Sequence, residues 1–191
     1  MYNTTKEESC ICLNMVSIKR AIIFGSVPAA VVLMVILLAA FYVKEVYMQI
    51  DIQAPNERVW HILTNFTDFH KWNPFMDQAS GEIRQGAIVT IHLQPINIQG
   101  MTIDPIITKV ESNHELRWLG RFGGIPRLFD GEHILTVESI GNNHDVTHFI
   151  QREVYRGVLV PFYAFQLDAS YRPAFEAMNH ALKIKSERAN R

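Results

Sequence analysis

Cysteine is nearly missing: the 191 residues include only Cys10 and Cys12. A disulfide framework is therefore excluded beyond the N-terminal tail, and any fold there needs a buried core. A charge excess of either sign is missing too. Eighteen Lys+Arg against nineteen Asp+Glu leave a formal net charge of −1. With no basic stripe, nucleic acid is not an expected partner. No His-x-Glu, Cys-x-x-Cys or Gly-x-Ser-x-Gly pattern occurs, and no Gly-rich loop opens a helix. Nucleotide cofactors and a recognisable nucleophile are thus unsupported. His92, His114, His144, His148 and Asp104 lack metal-ligand spacing, so no metal or other cofactor is expected.

What is abundant is apolar surface: hydrophobic residues make up 48% of the chain. From Ala21 to Val43 no residue is charged. As a helix, such a run spans about 34 Å, against a hydrocarbon core of ~30 Å. Lys19 and Arg20 precede it, Lys44 follows it, and Tyr42 and Tyr47 lie near its end, where amphipathic rings favour the interface. A cleaved signal peptide would need a shorter apolar core and a small-x-small site. A core helix packed against the surface of a domain this small would show a polar face, and the run has none. The expectation is a single-pass anchor at 21–43 behind an N-terminal tail at 1–20. The basic residues before the span place the N-terminus in the cytoplasm and the large domain outside.

Residues 46–191 read as one unit. Val46, Met48, Ile50 and Ile52 alternate as in a strand. Ala54-Pro55 stops it, and Val59, Ile62, Leu63 and Phe66 follow at helical spacing. Strands are then expected at 78–84, 87–94, 101–110, 116–122, 128–140 and 145–155. Gln85-Gly86 and Gly141-Asn142-Asn143 are their tightest turn signals. A closing helix is expected at 161–187, kinked or restarted at Pro173. Its buried stripe is Tyr171, Phe175, Met178 and Leu182. Grouped strands with a terminal helix imply an α+β fold with helices on one side of an antiparallel sheet.

At this point the residues resemble a known family. Ile52-x-Ala54-Pro55-x-x-x-Val59-Trp60, Asp68 and Trp72-Asn73-Pro74-Phe75 are similar to the opening of START-like (SRPBCC, polyketide cyclase/dehydrase type) domains. Leu116-x-Trp118, Gly131-Glu132-His133 and Glu153-x-Tyr155-x-Gly157 resemble their middle strands. The run from Phe175 to Lys183 resembles their last helix. The resemblance implies a helix-grip fold: a curved seven-stranded antiparallel sheet around the long C-terminal helix, over a hydrophobic cavity. Family members bind lipids, sterols, polyketides or hormones, and some are cyclases or hydrolases, so the fold fixes little of the chemistry.

Strand register narrows the search for a site. Closing the last hairpin at 141–143 pairs His133 with Gln151, Gly131 with Glu153, Leu135 with Phe149 and Phe129 with Tyr155. Pairing Arg121 with Leu128 sets Trp118 beside Gly131. The face holding Leu116, Trp118, Phe129, Leu135 and Phe149 is apolar, and His133, Gln151 and Glu153 form a polar island on it. The opposite face carries Arg117, Asp130, Glu132, Thr136, Glu138 and Arg152. The candidate cavity lining is Trp118, Phe129, Leu135, Phe149 and Tyr155 with the island His133, Gln151 and Glu153, joined by Phe175 and Met178 of the helix. Two roles remain open for the island: orienting a ligand in an apolar pocket, or satisfying one another inside the core. The expected function is a membrane-anchored module binding a small hydrophobic or lipid-like molecule. A cyclase, dehydratase or hydrolase using His133 or Glu153, or a non-catalytic envelope interaction protein, is the alternative.

Overall fold

The computed structural model describes residues 28, 30–141 and 145–188. The chain divides into two units, Met1–Ala39 and Ala40–Arg191. Residues 30–40 form a helix, α1, whose large apolar side chains from Val31 to Leu38 are all exposed. The tail at 1–20 and most of the N-terminal half of the expected span lie outside the described residues. Among the described residues no helix is long and apolar enough to cross a membrane. The expected C-terminal boundary of the span also shifts. Helix α1 stops at residue 40, and Val43 already belongs to the first strand.

In the second unit, β1 (Val43–Ile52) is followed by α2 (Asn56–Thr64) and a 3-10 turn, Phe66–Lys71. Strands β2 (Met76–Ser80), β3 (Thr90–Leu93), β4 (Met101–Ile103), β5 (Ile106–Glu111), β6 (Glu115–Arg121), β7 (Asp130–Ile140) and β8 (Val146–Arg156) follow. Helix α3 (Val160–Gln166), a π-helical turn (Leu167–Tyr171) and α4 (Arg172–Glu187) close the chain.

The expected single seven-stranded sheet is instead two antiparallel sheets, five-stranded β1-β8-β7-β6-β5 and three-stranded β2-β3-β4. The division falls at Asp104-Pro105, inside the expected strand 101–110. Proline has no N–H for a ladder bond, so the strand breaks there. β4 stays with β3 and β5 goes to β6. The backbone still links the two sheets: Val89 donates to the Pro105 carbonyl at 3.0 Å and Ile107 to that of Ala87 at 2.8 Å. The turn expected at Gln85-Gly86 also loosens, and residues 81–89 lie between β2 and β3.

Helix α4 packs Phe175, Met178 and Leu182, all fully buried, against the five-stranded sheet, as its 3.6-residue stripe requires. The Gln53 N–H donates to Glu187 at 2.8 Å, fixing the far end of α4 to the end of β1. At the near end, Gly157 leads from β8 toward α3 with φ of 135°. A Cβ there would lie 2.6 Å from the Arg127 carbonyl oxygen, so only glycine fits this backbone.

Candidate functional site

Both registers that place the site are two residues longer than the turn signals suggest. Ile140 pairs with Val146, giving His133 opposite Glu153, Leu135 opposite Gln151, Val137 opposite Phe149 and Gly131 opposite Tyr155. Trp118 pairs with His133 and Leu116 with Leu135, while Gly120 rather than Trp118 meets Gly131. A one-residue slip would have sent the island to the outer face; a two-residue slip preserves the face and changes only the neighbours. Trp118, His133, Leu135, Phe149, Gln151, Tyr155, Phe175 and Met178 are therefore all buried, as expected for inner residues. Phe129 and Glu153 are half-buried. The outer face carries ion pairs, Arg152–Glu45 at 2.6 Å and Arg156–Glu132 at 3.3 Å. Thr136 of that face is nonetheless buried.

His133 is the hub. Its imidazole stacks on the Trp118 indole, with centroids 4.8 Å apart and planes 9° from parallel. Phe75 stacks more loosely at 6.4 Å, and Phe175 meets the ring edge-on at 5.2 Å. Nδ1 lies 3.3 Å from a Glu153 carboxylate oxygen and Nε2 lies 3.1 Å from the Gln151 amide nitrogen. Gln151 can donate only if Nε2 carries no proton, so this network assigns the proton to Nδ1, which donates to Glu153. Gln151 Nε2 also faces the Met178 sulfur at 3.4 Å. Gly131 makes room for the carboxylate: a Cβ there would come within 2.9 Å of Glu153 Oε1.

Several polar atoms of this cluster are left over. Gln151 Oε1 and the Tyr155 hydroxyl are buried with no hydrogen-bond partner among the described residues. Such a group costs about 1–3 kcal/mol of lost solvation. Burial holds the Tyr155 phenol well above its ordinary 10.0, and the charge of Glu153 raises it further. Tyr171 is pushed up by the same two causes in the same order. Both phenols therefore stay protonated and available as donors beside Glu153.

Phe75 and Tyr171, outside the expected cavity lining, also belong to this site. Tyr171 packs edge-on to Phe75 at 5.9 Å and to Tyr155 at 6.2 Å. Phe75 owes its place to Asn73, whose Oδ1 accepts the N–H groups of Phe75 at 3.0 Å and Met76 at 2.9 Å. The Asn-Pro-Phe signal was legible as a turn, but nothing in it showed that the ring points at His133. Trp72 packs instead on Phe69, at 5.4 Å.

At the level of His133, the rings of Phe75, Trp118 and Phe175 pack on the imidazole, and Tyr171 packs on Phe75 and Phe175. A depression of about 200 Å³ lies elsewhere, on the three-stranded sheet, lined by Gln78, Ala79, Ser80, Thr90, His92 and Thr102. It is half-open and contains none of the expected lining residues.

Comparison with known proteins bears on the fold. The sequence matches the family described as polyketide cyclase / dehydrase and lipid transport over residues 44–187. A search of curated protein sequences returns no significant match. The Zhui aromatase/cyclase from Streptomyces sp. R1128 is similar in structure, with a TM-score of 0.64 at 13% identity, covering 78% of this chain and 97% of that one. Norcoclaurine synthase from Thalictrum flavum, a point mutant with a transition-state analogue, gives 0.61 at 12%, covering 78% and 98%. A START superfamily protein from Mycobacterium smegmatis gives 0.59 at 15%, covering 76% and 98%. At these identities the likeness is one of fold alone. The sequence match, however, runs over well over half of the chain, and the protein belongs to the polyketide cyclase/dehydrase and lipid transport family of the START-like superfamily.

Proposed function

We propose that the domain binds a small, mainly apolar molecule carrying one polar group, which it takes up between α4 and the five-stranded sheet. The observation that carries this reading is the pair of unpartnered buried groups, Gln151 Oε1 and the Tyr155 hydroxyl, within an aromatic cluster around His133. One acceptor and one donor there suit a ligand hydroxyl or carbonyl. The rest of the ligand replaces ring contacts with alkyl contacts, each buried CH₂ contributing about 0.8 kcal/mol. Admission requires the rings to part, and Tyr171 is the ring placed to move. It ends the π-helical turn, a geometry that concentrates at functional sites.

The uncharged segment at 21–43 tethers the domain to a bilayer in this reading, with the N-terminus cytoplasmic and the domain outside. Its support is the absence of charge and the exposed apolar side chains of α1. A protease added to intact cells should then remove the domain. The binding reading itself is tested by native mass spectrometry of the 40–191 unit. A copurifying or titratable lipid-like adduct of a few hundred daltons is expected. A domain empty in repeated preparations and indifferent to a lipid panel contradicts it and leaves a closed interaction protein.

The His133–Glu153 contact favours a second reading, general acid–base chemistry on an apolar substrate. It requires Glu153→Gln to abolish turnover of a bound molecule while leaving its affinity within about twofold.

A further inference from the structure

We infer that one end of the domain docks into a phospholipid bilayer through the 122–127 loop and helix α3. A row of paired residues marks this end of the five-stranded sheet. Val43 pairs with Arg156, Arg156 with Asp130, and Asp130 with Arg121. Beyond that row the chain makes the Arg121-Phe122-Gly123-Gly124-Ile125-Pro126-Arg127 loop. The start of α3 is bonded to this loop: Val158 and Leu159 donate to the carbonyls of Arg127 and Leu128, both at 3.0 Å.

Large apolar side chains here face outward instead of inward. Phe122 is 66% exposed, Ile125 55%, Phe162 76% and Phe165 85%. Helix α3 buries Val160, and Leu167, directly after its end, lies buried in the π-helical segment, while Phe162 and Phe165, three residues apart, share the exposed face. Phe41, Tyr42 and Val43, also exposed, bring the chain into the domain at the same end. Singly, such residues mean nothing; gathered at one end they mark a contact surface.

Two observations favour lipid over protein as the occupant. The polypeptide reaches this end directly from the 21–43 segment, which has no charge, and whose described side chains from Val31 to Leu38 are all exposed. The loop also has the form of an interfacial device, an apolar tip bracketed by two exposed cations: Arg121, loosely paired with Asp130 at 3.8 Å, and Arg127, which donates to the Ala40 carbonyl at 3.4 Å. The membrane contact extends the tethered-binding reading, because it brings the ring cluster around Tyr171 and Phe129 to the lipid source. Phe129 contacts Tyr163 of α3 at 5.9 Å and Tyr155 of the site at 5.6 Å.

The test uses the full chain with Cys10→Ser and Cys12→Ser, reconstituted into phosphatidylcholine/phosphatidylglycerol vesicles. An environment-sensitive fluorophore is attached through Phe165→Cys, or through Glu138→Cys near the opposite end of β7. The expected result is blue-shifted emission at 165, quenched at least threefold more by doxyl-labelled lipid than emission at 138. Adding Phe122→Asp and Ile125→Asp, both at exposed positions, should remove that difference while circular dichroism stays unchanged. Equal quenching at 165 and 138 overturns the proposal. So does a blue shift at 165 without doxyl quenching, which means that protein covers the patch. Neither result depends on whether a ligand copurifies, so failure here leaves the ligand-binding reading standing.

Discussion

Tyr155 and Glu115 separate the two kinds of polar group in the domain. The Tyr155 hydroxyl is buried without a partner, so removing it should relieve a desolvation cost. Tyr155→Phe is expected to stabilise the ligand-free domain by about 1 kcal/mol in urea unfolding. It should also weaken ligand binding about tenfold, a loss of ~1.4 kcal/mol. Glu115 is the satisfied counterpart. The Arg117 guanidinium grips it at 2.7 and 2.8 Å and Lys109 adds a contact at 2.7 Å. Hydrogen bonding from Arg117, and then from Lys109, lowers its carboxyl from 4.5 to about 2. The folded value lies below the unfolded one, so the stabilisation is complete above about pH 4.5 and lost as pH falls toward 2. The exposed side of Arg117 screens the pair, which limits it to about 1 kcal/mol. Urea midpoints of wild type and Glu115→Gln should differ at pH 7 and converge near pH 2; a gap that stays constant with pH contradicts this assignment. Residue identities on the inner face were legible because side-chain alternation has a period of two. The island's members, Gln151 and Glu153 beside His133, were legible for the same reason; which residue lies directly opposite His133 was not, because register depends on turn lengths that the glycine signals understate.

Among the elements, the closing helix was legible in extent and stripe, and Pro173 in its effect. What the stripe could not show is the form the interruption takes. Pro173 lacks the N–H that an α-helix would give to residue 169, and the chain answers with a π-helical turn over Leu167–Tyr171 before restarting as α4. Wider i→i+5 bonding places Tyr171 over Phe75 and Tyr155. Pro173→Ala restores the missing donor and lets the α ladder run through. Amide exchange over 167–172 should slow by about tenfold, and ligand uptake should slow with it; exchange that is unchanged would remove the π turn from the opening step. Pro105 acted in the other direction. Alternation around it reads as one strand, but the missing donor splits that strand between two sheets. A pattern of side chains does not report which neighbour the backbone bonds.

For the whole molecule, the family and the gripped helix were legible from an ordered set of weak signals, since each lies in a core-forming element. The ring cluster around His133 was not, because it depends on how Phe75, Trp118, Tyr171 and Phe175 interlock, and sequence spacing carries no such information. The most direct measurement is an isotope-filtered NOE experiment on the 40–191 unit with Met178 and tryptophan selectively labelled, loaded with the lipid that native mass spectrometry identifies. The account expects intermolecular NOEs from the Met178 methyl group and the Trp118 indole to ligand CH₂ protons. NOEs absent from both, with shift changes confined to the depression around Gln78 and His92, would contradict it.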